Sequence, residues 1–228
     1  MNKEKKQINH VGIIIDGNRR YAKNKGMATH KGHSEGAEKV SKTIEWCKDL
    51  EIKELTIYTL STENLKREPK ELEHLFNLFK KFFKKFKENK EVHENKVKIK
   101  FIGDISLVPK DIQELIKEIE NDTKDYDNYK INFCFAYGGR LELTKSINKL
   151  IKQGKPVTEQ DITNFLWLSS EPDFIIRTGG KTRTSNFLPW QSVYSEWIFL
   201  EKMWPEFEEQ DLKDCIEKFN QTQRNFGK

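Results

Sequence analysis

The 228-residue sequence predicts an α/β fold: a single domain spanning residues 1–228, with a mostly parallel central sheet of about six strands wrapped by helices. Two observations predict it. Short apolar, strand-like runs alternate with segments whose apolar residues step by three and four. Four polar clusters also stand directly after strand-like runs: Asp16–Arg20, Ser61–Arg67, Tyr137–Arg140 and Arg177–Asn186. Open parallel sheets bind ligands beyond the carboxyl ends of their strands. No repeat, low-complexity stretch or linker divides the chain, which is long enough for one substantial core.

The elements follow in order. Residues 1–9 are charged and lack the apolar stretch of a signal peptide, so they are expected to be a flexible N-terminal segment. Val11–Ile15 is an apolar strand that ends at a glycine turn. Ala37, Val40, Ile44 and Cys47 mark one face of a helix over about His33–Leu50. Leu55–Leu60 is strand-like. Pro69 sits where a first helical turn tolerates it, and a helix to Glu88 carries Phe76, Phe79, Phe82, Phe83 and Phe86 among lysines. Val97, Ile99 and Phe101 alternate with lysines, as in a half-exposed strand. Ile112, Leu115, Ile116 and Ile119 form a helical stripe. Ile131, Phe133 and Phe135 alternate into Tyr137-Gly138-Gly139-Arg140, and a helix over about Leu141–Ile151 follows. Thr158, with Asp161 three residues on, is an N-cap. Asp173–Arg177 and Trp197–Leu200 are the last strands, and Leu212, Ile216 and Phe219 mark the last helix.

Composition narrows the class. Charged residues are 34% and aromatic residues 11%, which excludes a disordered chain once the regular periodicity is counted. The net charge of +5 suits anionic ligands, an anionic membrane surface or nucleic acid, and does not choose among them. Cys47, Cys134 and Cys215 are far apart and show no metal spacing, which reads as reduced thiols in a cytoplasmic protein. No apolar run approaches the ~18 residues of a membrane span.

The clusters carry the chemistry. Gly17 lets the backbone approach a ligand closely, and a helix starting after it offers N–H groups to phosphate oxygens. Arg19 and Arg20 add positive charge. Asp16 repels a bare phosphate, so its place beside such a cradle makes sense with Mg²⁺ between them. Composition leaves open the plainer reading, a turn with a capping Asp and solvated arginines. His33, after Lys31-Gly32, is either structural or a phosphate contact. Ser61–Arg67 reads first as a polar loop that caps the Pro69 helix. Arg177–Asn186 combines arginines, hydroxyls and glycines, a set that matches phosphate geometry. It is not a nucleotide P-loop, because Ile175 stands where the first glycine would be. The phenylalanine helix either faces the core or lines an apolar tunnel, since its apolar arc is wider than one stripe requires. Two phosphate-type sites and a tunnel together suggest an amphiphilic diphosphate substrate.

These clusters, in this order, resemble the cis-prenyltransferase family, the undecaprenyl diphosphate synthases, from His10 to Gly227. The resemblance rests on HVGIIIDGNRRYAK, Gly32-His33, the STEN box Ser61–Asn64 with Arg67, YGGR at Tyr137–Arg140 and RTGG at Arg177–Gly180. It extends through Arg183–Gln191, Tyr194 with Glu196, and WPEF at Trp204–Phe207. It implies repeated addition of isopentenyl diphosphate to an allylic primer, farnesyl or geranylgeranyl diphosphate. The product is a Z-polyprenyl diphosphate, precursor of a glycosyl carrier lipid. It also implies Mg²⁺ as cofactor, a homodimer, no nucleic-acid partner, and a cytoplasmic place with transient membrane contact for product release. Asp16 then matches the essential aspartate and, with Glu196, a metal ligand. Gly17, Asn18, Arg19 and Arg20 match the allylic diphosphate cradle, helped by His33. Arg177, Arg183 and Ser185 match the isopentenyl diphosphate site. Asn64 matches a residue near proton loss, with Ser61 and Arg67 beside it. Tyr21, Thr62, Glu63 and Thr184 count with the substrate-binding residues.

The chain departs from the family pattern at Thr29, Leu65, Thr182 and the terminal Arg224-Asn225-Phe226-Gly227. Its Arg19 looks more archaeal or eukaryotic than bacterial. The rival reading is a non-catalytic subunit of a heteromeric cis-prenyltransferase. Such members typically lack the aspartate and arginines that Asp16, Arg177 and Arg183 supply here.

Overall fold

The structure, a computed structural model, describes residues 7–154 and 156–222. Its centre is a six-stranded sheet in the order β3-β4-β2-β1-β5-β6, with every neighbouring pair parallel. The strands are β1 (His10–Ile14), β2 (Glu54–Ser61), β3 (Val97–Ile102), β4 (Tyr129–Tyr137), β5 (Phe174–Arg177) and β6 (Glu196–Phe199). The helices are α1 (Asn18–Asn24), α2 (Thr29–Asp49), α3 (Pro69–Lys87), α4 (Lys90–Glu94), α5 (Lys110–Asp122), α6 (Gly139–Ile151), α7 (Glu159–Phe165) and α8 (Glu209–Gln221). The expected α/β class and six-stranded parallel sheet are present.

The central strands are covered on both faces. β1 is buried along its length, and β4 is buried from Ile131 to Tyr137. Such strands read as apolar runs rather than alternations. The α3 phenylalanines pack on β3 and β4: Phe83 lies 4.7 Å from Phe101 and Phe79 lies 4.8 Å from Phe135, ring centre to ring centre and edge to face. Such pairs add to the burial energy of the rings.

Several boundaries differ from the sequence reading. β1 and β6 each begin one residue earlier and leave out Ile15 and Leu200. α2 begins at Thr29, because Thr-His-Lys-Gly continues the helix without an apolar face to announce it. Ser61–Arg67 is no plain loop: Thr62–Lys66 forms a 3-10 turn. The short α4 is held by its cap, with the Asn89 side chain accepting the Glu91 N–H at 2.9 Å. The Thr158 cap is present as expected, with a reciprocal Asp161 bond. Of the N-terminal segment, residues 1–6 lie outside the described residues. Ile8 packs on the core, and the Asn9 N–H donates to Asp173 at 2.8 Å, so residues 8–9 are held. Arg224–Gly227 also lies outside the described residues.

The topology positions the site. The chain leaves β1 toward β2 on one side, and leaves β5 toward β6 on the other. Where adjacent strands send their connections in opposite directions, a crevice opens beyond their carboxyl ends. Asp16 follows β1 and Arg177 ends β5, so both stand at that crevice.

Candidate active site

Asp16 is held between two guanidinium groups. Its Oδ2 accepts from Arg177 Nη2 at 2.8 Å, and its Oδ1 accepts from Arg20 Nη2 at 3.2 Å. Arg177 is 3% exposed, so its charge needs partners. They are Asp16, the Ser185 hydroxyl at 2.8 Å and the Arg183 carbonyl. Arg20 also donates to the Gly179 carbonyl at 2.6 Å. Thr178 Oγ donates to the Asp16 carbonyl at 2.7 Å and fixes the backbone beneath the carboxylate. Gly179, at φ 86°, is needed here: an added Cβ would come within 2.6 Å of the Arg20 guanidinium.

Asp16, Arg177, Arg183 and Ser185 form one end of a cavity of about 560 Å³, within the ~300–1,000 Å³ usual for small-molecule sites. The other end is apolar, walled by Val40 of α2, Leu60 of β2 and Leu75, Phe79, Phe82 and Phe83 of α3. Three buried polar atoms of cavity residues have no partner among the described residues: Asn18 Oδ1, His33 Nε2 and Arg177 Nε. Orphaned buried groups are uncommon and call for an explanation. Desolvation, with Arg67 next in weight, lowers the His33 pKa from its ordinary 6.5 to about 4. The imidazole is therefore neutral at physiological pH. One cavity thus joins a cationic, hydrogen-bonding end to an apolar one. Residues 14–227 match the family model described as "Putative undecaprenyl diphosphate synthase".

The chain belongs to this family, the cis-prenyltransferases. A tritrans,polycis-undecaprenyl-diphosphate synthase (geranylgeranyl-diphosphate specific) of Thermoplasma volcanium is 40% identical over 228 residues, 96% of this chain and 88% of that protein. An isoprenyl transferase of Fusobacterium nucleatum is 40% identical over 226 residues, 98% of this chain and 97% of its own. The solved lavandulyl diphosphate synthase of Lavandula x intermedia, in complex with dimethylallyl diphosphate, superposes with a TM-score of 0.92. It is 31% identical, and the match covers 97% of this chain and 98% of that one. The protein is a prenyl transferase.

Within this cis-prenyltransferase, Asp16, Asn18, His33, Ser61, Glu63, Asn64, Arg67, Arg177, Arg183 and Ser185 all line the cavity. Ser61 and Asn64 also cap the 3-10 turn: Ser61 Oγ accepts the Asn64 N–H at 3.2 Å, and Asn64 Oδ1 accepts the Ser61 N–H at 3.1 Å. Burial pushes the Glu63 carboxyl up, but backbone N–H, Ser61 and Asn186 bonds outweigh it and leave its pKa lowered. Arg67 donates to Glu71 at 3.0 Å, and Arg19 pairs with the same Glu71 at 3.8 Å.

Other expected residues, Arg19 and Arg20 among them, lie off the cavity wall. Gly17, at φ 114°, is covered by Met203. The Tyr21 hydroxyl donates to Glu35 at 2.8 Å, and Thr62 donates to Glu63 at 3.3 Å. Thr184 carries the backbone between Arg183 and Ser185, and its carbonyl accepts the Phe187 N–H at 3.1 Å. Glu196 is not brought to Asp16 within the chain. It pairs with Phe174 at the amino end of β6, so the parallel register puts it roughly 10 Å down the sheet from the crevice.

The sequence reading missed Glu71, which gathers Arg19 and Arg67, and Gly36, on which Asn18 packs. Gly32 and Gly36 stand one helical turn apart. Added Cβ atoms would come within 2.3 Å of Asn18 O and 2.2 Å of Asn18 Oδ1, respectively. That small-residue spacing was the available signal for close packing of α2 on α1.

Proposed function

We propose that this protein condenses isopentenyl diphosphate repeatedly onto geranylgeranyl diphosphate and releases a Z-polyprenyl diphosphate, precursor of a glycosyl carrier lipid. The observation that carries this is the cavity itself, with Asp16, Arg177, Arg183 and Ser185 at one end, Arg20 bonded to Asp16 behind them, and the α3 phenylalanines at the other. An amphiphile with a diphosphate head fits both ends at once. The geranylgeranyl primer is favoured over farnesyl by the specificity in the name of the Thermoplasma relative.

The resident groups divide the work. Arg177, Arg183 and Ser185 hold the isopentenyl diphosphate, because guanidinium forks match diphosphate oxygens. Arg19, Arg20, Asn18 and the neutral His33 hold the allylic diphosphate, with Gly17 allowing close approach. Tyr21, Thr62, Glu63, Arg67 and Thr184 shape the surroundings of the two heads.

Among the described residues, no three His, Cys, Asp or Glu side chains cluster to hold a metal unaided. Asp16 offers one carboxylate beside a diphosphate site. That donor set fits Mg²⁺, which commonly takes one or two carboxylates and completes its shell with phosphate oxygens and water. Asp16 would hold it, and the ion supplies charge neutralisation for the departing diphosphate. Glu196 joins this set only if the homodimer brings a second copy's carboxylate to the crevice.

As the allylic C–O bond breaks, the arginines stabilise charge on the leaving group. The isopentenyl double bond attacks the allylic carbon, and a proton is then lost. Asn64 is a poor base, and its Oδ1 is engaged in the Ser61 cap. A substrate diphosphate oxygen takes the proton, and Asn64 holds the turn. The apolar arm, a tunnel in this reading, receives the growing chain and keeps water from the cation. The protein acts in the cytoplasm as a homodimer and touches the membrane transiently to release its product. No helix among the described residues is long and apolar enough to cross a membrane.

The test is incubation of the purified protein with labelled isopentenyl diphosphate, Mg²⁺ and each primer, followed by sizing of the products. Chain growth on geranylgeranyl diphosphate is expected. No growth with any primer overturns the reading, and returns the chain to the non-catalytic subunit that its retained Asp16, Arg177 and Arg183 argue against.

A further inference from the structure

One buried carboxylate stands outside the roles assigned so far. Glu142, in the first turn of α6, is 1% exposed. Its Oε1 accepts the Trp167 and Leu168 backbone N–H groups at 2.8 and 3.1 Å. Its Oε2 accepts the Tyr137 hydroxyl at 2.6 Å and the Gln191 amide at 3.1 Å. Gln191 is equally buried, and also donates to the Leu168 carbonyl at 2.8 Å. Burial pushes the Glu142 carboxyl above its ordinary range, and these donors only partly offset it. A fully bonded group of this kind rigidifies what it touches.

What it touches is a strained strap, Arg183 to Gln191. Ser185, Asn186 and Leu188 have φ of 49°, 64° and 46°, the left-handed region that side chains disfavour. Such backbone persists only where its surroundings over-determine it. The strap is pinned along its length. Asn186 O and Oδ1 accept the Gly139 and Arg140 N–H groups, each at 2.9 Å, and its Nδ2 donates to Glu63 at 3.1 Å. Phe187 stacks on Tyr58 at 4.9 Å. Pro189 lies against Gly139 so closely that a Cβ there would come within 2.0 Å of its ring. The Glu142–Gln191 bond closes the far end. At the near end, Arg183 and Ser185 hold the Arg177 guanidinium.

We propose that Glu142 is a positioning residue: it clamps the strained strap, and through it sets the Ser185 hydroxyl and the Arg177 guanidinium that bind isopentenyl diphosphate. The assignment of that ligand rests on the function proposed above. Glu142 touches neither substrate, so its effect should fall on one of them selectively.

The experiment compares the intact protein with Glu142→Gln, which turns an acceptor into a donor facing Tyr137 and Gln191. The KM for isopentenyl diphosphate is expected to rise about tenfold, as for loss of one charge-assisted bond. The KM for the allylic primer and kcat should stay within about twofold. Calorimetric affinity for isopentenyl diphosphate, measured without primer, should fall by the same factor as its KM rises. Tyr137→Phe removes one donor and keeps the carboxylate, with about a threefold effect expected on the same constant. It decides the matter if Glu142→Gln does not fold. Equal shifts for both substrates, or a lowered melting temperature with both KM values unchanged, overturn the proposal and leave Glu142 a role in the fold alone. A wild-type protein that binds isopentenyl diphosphate but builds no chain overturns the reaction, while the calorimetry still decides the strap. A wild type that does not bind it overturns both.

Discussion

Asp16 and His33 show how single residues are tuned by their neighbours. Asp16 shares its two oxygens between Arg177 and Arg20, so a substitution there disturbs charge more than packing. Asp16→Asn keeps the shape and removes the charge. Chain growth should fall by about a hundredfold or more, the scale of losing a preorganised charge partner. Arg177 keeps Ser185 and the Arg183 carbonyl, so circular dichroism should still show a folded protein. Activity near that of the wild type would remove Asp16 from the reaction. His33 gives a pH prediction. Desolvation lowers its folded pKa to about 4 from an ordinary 6.5, so the unfolded chain takes up its proton first as pH falls. The stability held by neutral His33 is complete above about 6.5 and is lost as pH drops through the window to about 4. Chemical denaturation across that window should show a smaller slope for His33→Gln than for the wild type.

At the scale of elements, α3 carries the prediction about product length. Its Phe79, Phe82 and Phe83 wall the cavity, while Phe86, one turn on, lines a separate small pocket with Ile44, Cys47, Val92, Val97 and Tyr129. α2 makes the same step, from Val40 to Ile44. The partition between the two spaces is therefore about one helical turn thick, ~5.4 Å. Phe82 and Phe86 form it, 5.5 Å apart, both against Phe133. Phe86→Ala should join the spaces and lengthen the polyprenyl product, as seen by sizing on reversed-phase plates. It should also destabilise the fold by about 3–5 kcal/mol, the usual result of emptying a buried aromatic site. An unchanged product distribution in a folded variant would place the stop elsewhere.

For the whole molecule, the proposed homodimer carries the prediction. Ile151 and Val193 are large apolar side chains more than 60% exposed, and a second copy is the proposed cover. Sedimentation at micromolar concentration should give the dimer mass. A monomer that still elongates chains would separate activity from assembly, and would leave Glu196 without a route to the crevice. Stability at this scale rests on the sheet, where β1, β4 and β5 are buried between helices.

Much of this was legible in the sequence. Hydrophobic periodicity is local, so the α/β alternation, the strand cores and the helix faces could be read from residue types alone. The motif clusters, taken together, named the family. Some features were less visible. The 3-10 turn at Thr62–Lys66 looked like a loop because its cap uses ordinary polar residues. Phe79 and Phe86 look equivalent in a helical repeat, yet they line different spaces. The separation of Glu196 from Asp16 follows from register, which pairs Glu196 with Phe174 and depends on strands far apart in the chain. Glu142 reads as one more charged residue on a helix until four donors converge on it, three of them from distant segments. The sequence by itself determined the fold class, the polar clusters and the family, because each depends on local pattern or residue identity. Only the tertiary structure decided which side chains share the cavity, because that depends on long-range pairing and on where the helices bury their faces.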